Sequence, residues 1–304
     1  MNDEQKHETA TGQPKLFCFG LGFSALTLGQ RLLGKGWRVA GTTRSQDKAE
    51  HLRAQGFETW LFDPERPLAD AETALAGTQY LLSSVPPLPV GDPVLAAHGE
   101  AIARLPETSW IGYLSTTGVY GNADGGWVDE DSPIQPSGER GRRRADAEAA
   151  WLELGQRSGR PVHLFRLAGI YGPGRNQLES LKRGKARRIH KPGQVFSRIH
   201  VEDIAAVLEA SMARPAGGRA YNVCDDEPSD PAEVVSYAAD LLGVEPPPLV
   251  PFEEADLSPM ARSFYDDSKR VANRRIKEEL GVRLAYPDYR SGLSALLNDV
   301  EAAS

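Results

Sequence analysis

The chain has 304 residues, enough to bury one large core or two smaller ones. Its 40% hydrophobic and 25% charged residues are the values of a soluble globular protein and exclude a disordered chain. A formal net charge of -7 argues against a general nucleic-acid binder, which carries a basic excess.

The opening stretch MNDEQKHETATGQPK has no apolar h-region, so it reads as a disordered tail over 1–14 and not as a signal peptide. From Lys15 short apolar runs alternate with helical patterns. KLFCF (15–19) predicts a first strand, and ALTLGQRLLGKG (25–36) a helix with Leu28, Leu32 and Leu33 at helical spacing and glycines as its stop. WRVAGTT (37–43) predicts a second strand, QDKAEHLRAQG (46–56) a charged helix, TWLFD (59–63) a third strand and AETALAG (71–77) a short helix. QYLLSSV (79–85) is a fourth strand broken by Pro86 and Pro87, PVLAAHGEAIARL (93–105) a helix, and WIGYLST (110–116) a fifth strand. An arginine-rich helix opening on GERGRRRADAEAAW (138–151) ends near 157–161, and VHLFRL (162–167) is a sixth strand. This alternation implies an α/β fold, a parallel sheet covered on both faces, with ligands at the carboxyl ends of its strands.

Beyond Tyr171 the pattern changes. GPGRNQLESLKRGKARRIHKPGQ is loop-rich and basic, HVEDIAAVLEASM (200–212) is a helix, AYNV (220–223) a strand, DPAEVVSYAADLLG (230–243) a helix, and EPPPLVP (245–251) a polyproline-like connection. Two distant cysteines, Cys18 and Cys224, form no framework and suit a reducing cytoplasm. The histidines show no zinc spacing, so no metal is expected, and no apolar run of about 18 residues exists to span a membrane.

FGLGFSA (19–25) matches G-x-G-x-x-A through Gly20, Gly22 and Ala25, with Phe23 and Ser24 inside the motif. Gly20 permits the tight turn, Gly22 lets the backbone approach a pyrophosphate, and Ala25 keeps helix and strand close, so the helix presents free N–H groups to phosphate. The second strand ends GTTRS, with Arg44 where an acid would read the ribose of NAD. A guanidinium suits a 2′-phosphate, which favours NADP while leaving NAD open.

YLSTTGVYG (113–121) resembles the extended short-chain dehydrogenase/reductases, as do FRLAGIYGPG (165–174), RIHVEDIA (198–205), YNVCDDEP (221–228) and DSKRVANRRIKEELG (267–281), in the family's order. The similarity spans about Lys15 to Tyr289 and points to the atypical, NAD-dependent epimerase/dehydratase-like branch, the YeeZ-like proteins. It implies a Rossmann-type doubly wound parallel sheet over 15–170 and, over 171–304, mainly a smaller C-terminal substrate lobe, with segments near 200–223 returning to the first domain. These motifs specify fold far better than reaction. By the resemblance, Thr116 matches the Ser/Thr that hydrogen-bonds the reacting oxygen, with Ser115 and Thr117 as close rivals. Asp63 matches an acid near the adenine, and Ser84, Val85 and Pro86 a loop beside the nicotinamide ribose. Tyr120 and Tyr171 fall in structural Y-G turns.

In the family the helix after the fifth strand carries Tyr-x-x-x-Lys on one face, often followed by Glu four residues on. Glu148 supplies that match and aligns Arg140 with the Tyr and Arg144 with the Lys, but residues 128–151 hold neither tyrosine nor lysine. Arginine gives up no proton at neutral pH; Arg144 can still donate to a ribose or phosphate. The Asp–Glu pair that follows the Thr in sugar-nucleotide dehydratases is Thr117–Gly118 here. The expectation is an NAD(P)-dependent oxidoreductase or epimerase on a polar, anionic small molecule, met by Lys182, Arg183, Lys185, Arg187, Arg188 and Lys191, with Asp203 as an alternative acid. A non-catalytic NADP(H)-binding sensor or scaffold is the rival. The arginine helix lacks interleaved aromatic residues and does not suit nucleic acid.

Overall fold

The computed structural model describes residues 12–215 and 217–302. Up to residue 11, the expected tail lies outside the described residues. The strands β1 (Lys15–Phe19), β2 (Arg38–Thr43), β3 (Glu58–Leu61), β4 (Tyr80–Ser83) and β5 (Trp110–Thr116) alternate with helices α1 (Phe23–Gly34), α2 (Gln46–Ala54), α3 (Ala71–Leu75) and α4 (Pro93–Ala103). A 3-10 turn (Thr117–Tyr120), a short strand β6 (Trp127–Val128), the long helix α5 (Glu139–Ser158) and β7 (Val162–Leu167) follow.

The sheet has seven strands in the order β11-β7-β5-β4-β1-β2-β3, all parallel, with β11 (Arg219–Val223) beside β7. It is the Rossmann-type doubly wound sheet expected. Pleating sends Leu16 and Cys18 of β1 into the layer under α1, α2 and α7 (Val201–Met212), and Phe17 and Phe19 into the layer under α3, α4 and α5. Strands apolar on both faces are what a sheet buried on both sides requires. Strand order reverses around β1, so a crevice opens at the carboxyl ends of β1 and β4.

The C-terminal part is built from short pairs. Strand β8 (Gly169–Tyr171) pairs with β10 (Arg198–His200), β9 (Arg188–His190) with β12 (Leu249–Pro251), and β6 with β13 (Arg270–Val271). Helices α6 (Gln177–Lys182), α8 (Pro231–Leu242) and α11 (Tyr289–Ala302) share an apolar cluster of Leu178, Val234, Tyr289 and Leu293. Two short helices, α9 (Pro259–Ser263) and α10 (Arg274–Glu278), complete the order. The basic stretch after Tyr171 is loop-rich as expected, but it also holds α6, capped by Asn176, and β9. One expectation is corrected: the pairing of β9 with β12, distant in sequence, turns the end of EPPPLVP into strand. Among the described residues no helix is long and apolar enough to cross a membrane.

A buried ion pair ties sheet to helix. Arg166 of β7 donates to Glu148 of α5 at 2.8 Å and to the Tyr120 hydroxyl at 2.8 Å, and Tyr120 donates to Asn222 of β11 at 2.7 Å. Burial works against the Arg166 charge, yet the bonds to Glu148 win and raise its pKa. Glu148→Ala would leave this guanidinium uncompensated. It is expected to cost about 3–5 kcal/mol in denaturant unfolding; a loss below ~1 kcal/mol would show that the pair does not anchor α5.

Candidate functional site

The β1–α1 turn forms the floor of the crevice. Gly20 has φ +85°, and a Cβ there would stand 2.9 Å from Ser84 Oγ and 3.2 Å from Val85, so the turn needs glycine for reasons internal to the protein. Gly22 is different: its backbone is extended and, among the described residues, a Cβ would meet nothing within 4 Å. No side chain caps α1, leaving first-turn N–H groups directed outward at the positive end of the helix dipole. Ala25 and Ser24 are buried against the sheet and Phe23 is half-buried at the rim. Ser84 N–H donates to Phe19 O at 2.9 Å and Ser84 Oγ donates to Gly20 O, which seats the Ser84–Val85–Pro86 loop beside the glycine turn. The open backbone at Gly22 and the uncapped helix fit the diphosphate of a dinucleotide.

At the end of β2, Arg44 is exposed. Its carbonyl accepts from Arg66 at 2.8 Å, and Arg66 also pairs with Asp63 at 2.8 Å. Asp63 is thus engaged by a neighbouring cation. Lys48, one turn into α2, reaches back to Leu21 O at 2.7 Å. The chain alone did not single out Lys48 or Arg66; the only local signal was their sign, near Arg44.

Thr116 closes β5 half-exposed, and its Oγ1 accepts from Gly118 N–H at 3.1 Å, which uses its oxygen as an acceptor and not its hydroxyl hydrogen. Ser115 is buried on the Tyr113 face of the strand, and among the described residues its Oγ has no hydrogen-bond partner. Thr117 is half-exposed in the 3-10 turn. The α5 N-terminus packs tightly on this turn: a Cβ at Gly141 would lie 2.7 Å from Gly118 O. Arg144 is half-buried and donates to Leu114 O at 2.7 Å and Tyr113 Oη at 3.0 Å. Burial pushes the Tyr113 phenol up, with the Arg144 charge opposing. Arg140 is exposed, its guanidinium 5.4 Å from the Phe264 ring centroid. Arg142 donates to Ser137 O at 3.1 Å, and Arg143 pairs with Glu139. The four arginines therefore have four different surroundings, and Arg144 alone among them lies against β5.

The remaining candidates are drawn into packing. Both Asp203 oxygens accept backbone N–H groups, Ala285 at 2.7 Å and Tyr286 at 3.0 Å, so this buried carboxylate holds a loop and is not a free acid. Arg183 pairs with Glu179 at 3.0 Å, Arg188 donates to Pro247 O at 3.4 Å, and Arg187 and Lys191 donate to carbonyls of Asp256 and Tyr265. Lys182 is the last residue of α6 and Lys185 follows just after it. Tyr120 is held between Arg166 and Asn222. Among the described residues no group of three or more His, Cys, Asp or Glu could hold a metal ion.

With this geometry in view, the likeness to known proteins is informative. Protein YeeZ of Escherichia coli K12 is 31% identical over 287 residues, covering 90% of this chain and 97% of that protein. The chain belongs to the YeeZ-like branch of the atypical, epimerase/dehydratase-like short-chain dehydrogenase/reductases. No family model matches it. A solved structure of a conserved protein of unknown function from Silicibacter pomeroyi is 54% identical with a TM-score of 0.86, covering 95% of this chain and 100% of that one. A candidate NAD-dependent epimerase/dehydratase from Methylobacillus flagellatus is 26% identical with a TM-score of 0.72, covering 95% and 99%.

The contrast between the two glycines gives a test. Gly22→Val has room in the protein, so its unfolding free energy is expected to stay within ~0.5 kcal/mol of the parent. It would fill the phosphate approach, so NADPH affinity should fall by roughly tenfold or more in a fluorescence titration. A variant that binds NADPH as well as the parent would remove the glycine turn from the site.

Proposed function

We propose that this protein binds NADP(H) in preference to NAD(H) and acts as an oxidoreductase or epimerase on a polar, anionic small molecule in the cytoplasm. The observation that carries the reading is the void at Gly22, beside the uncapped head of α1. No described residue stands within 4 Å of a Cβ placed there, and a diphosphate has the charge and shape for the space. The description of the Methylobacillus flagellatus protein as NAD-dependent supports the same class of cofactor. When bound, a nicotinamide dinucleotide supplies hydride donation or acceptance.

The preference for the 2′-phosphate rests on charge. Arg44 is exposed at the end of β2 with Lys48 on the next helical turn, and the nearby Asp63 is paired with Arg66. A guanidinium beside an ammonium favours a dianion, where a free carboxylate would favour the hydroxyl of NAD. At the other end of the crevice, Thr116 Oγ donates to the substrate oxygen and orients it. Arg144, held by Leu114 O and Tyr113, has further N–H groups to offer a ribose or a substrate anion. Neither Arg140 nor Arg144 cycles a proton, and the raised phenol of Tyr113 does not replace a tyrosine of lowered pKa. The proton then moves through water or the substrate's own groups, with Thr116 positioning the oxygen.

The rival reading, a non-catalytic NADP(H)-binding sensor or scaffold, draws support from the same helix: Arg144 is bonded to β5 and no phenol stands at position 140. The two readings share the cofactor and differ in turnover.

Arg44→Ala is expected to weaken NADPH by roughly 10- to 100-fold, the value of a charge-assisted contact, while NADH affinity holds. Equal losses for both nucleotides would refute the 2′-phosphate assignment. Thr116→Val keeps the shape and removes the hydroxyl. Once a substrate is in hand, its turnover number should fall while NADPH affinity stays put, and unchanged turnover would shift the role to Ser115 or Thr117. The pH–rate profile of the parent should lack the limb that a low-pKa tyrosine creates; such a limb between about pH 6 and 8 would contradict this proton route.

A further inference from the structure

Arg175 lies outside the β1–α1 turn, yet it stands at the edge of that turn through Phe23. It closes the turn after β8, where Gly172 and Arg175 exchange backbone hydrogen bonds of 3.0 Å each and Gly174 supplies a φ of +71°. Asn176 donates to Gly172 O at 2.9 Å and caps α6 through Glu179 N–H, which stiffens the turn from the other side. The guanidinium carbon of Arg175 lies 6.0 Å from the centroid of the Phe23 ring, and Phe23 is the first residue of α1, directly after Gly22. The same ring is wedged against the turn: a Cβ at Gly172 would come within 3.1 Å of Phe23 Cζ and 2.7 Å of Val201. Phe23 thereby locks the glycine loop to a turn from a distant part of the chain. The turn in exchange places a cation beside the ring of the first residue of α1.

Among the described residues Arg175 forms no ion pair, and it is exposed. An aromatic face holds such a guanidinium weakly, which leaves its planar fork available for an anion with two adjacent oxygens. We propose that Arg175 is a positioning residue that clamps the diphosphate of the bound dinucleotide from the β8 side, so that cofactor affinity depends on the C-terminal part of the chain as well as on the β1–α1 turn. The proposal rests on the dinucleotide reading above. It adds a contact that reads the diphosphate common to NADP and NAD, whereas Arg44 reads the 2′-phosphate that only NADP carries.

The test uses the full chain and its Arg175→Ala, Arg175→Lys and Phe23→Leu variants, with Kd for NADPH and for NADH measured by fluorescence titration at two salt concentrations. Arg175→Ala is expected to weaken both nucleotides by the same factor, roughly tenfold, and to flatten the salt dependence. Arg175→Lys keeps the charge but not the fork and should fall between parent and alanine variant. Phe23→Leu keeps an apolar wedge but removes the ring that aims the cation, and a loss of a few-fold for both nucleotides is expected. Parent-like binding by Arg175→Ala would overturn the clamp, and so would a loss confined to NADPH, which would move Arg175 to the 2′-phosphate. If the parent itself binds neither nucleotide, the dinucleotide reading fails and the clamp with it. A parent that binds with an indifferent Arg175→Ala overturns the clamp alone.

Discussion

The geometry of the crevice depends on one buried interaction, the Arg166–Glu148 pair with Tyr120 and Asn222 gathered around it. A charge pair at this depth costs desolvation and stabilises little by itself, but it admits one arrangement only. Arg166 comes from β7, Glu148 from α5, Tyr120 from the turn after β5, and Asn222 from β11. Rotating α5 or sliding it by a residue would strand a carboxylate or a guanidinium away from water. Because α5 is held at Glu148, Arg144 one turn earlier is brought against Leu114 and Tyr113, and Gly141 against Gly118. The register of α5, and with it what the helix offers the crevice, follows from this pair.

A second constraint closes the opposite wall. Arg31 of α1 pairs with Glu202 and Glu209 of α7 at 3.1 and 3.2 Å, and Asp203 of α7 binds the backbone at Ala285 and Tyr286. Helix α7 thus links the far end of α1 to the C-terminal segment, and Phe23 at Gly172 adds an apolar lock at the near end of α1. Burial raises the Asp203 pKa even with two backbone donors, as expected for a carboxylate kept for structure.

Helix α5 carries neither tyrosine nor lysine, and its Arg144 and Arg140 have different surroundings. One is packed beneath β5 and the other is stacked over an aromatic ring of the C-terminal part. The helix thus presents its positive charge in two different settings.

The six strand–helix alternations and the G-x-G-x-x-A turn were legible in the sequence, because strands buried on both faces and glycine-gated turns are decided by neighbouring residues. The sequence could not show that β9 and β12 pair, that α6 forms within a basic stretch, or that Tyr289–Ala302 is a helix packed on α6 and α8, since each depends on partners far along the chain. Nor could it separate the arginines of α5: residues at 140, 142, 143 and 144 look alike in a string, and only the surfaces around the helix give them different partners. The same holds for the basic residues after Tyr171, several of which bind backbone carbonyls of 247–265. Local spacing determined the fold and the place of the crevice; long-range packing decided which charges face it, because a side chain's surroundings belong to every element that closes over it.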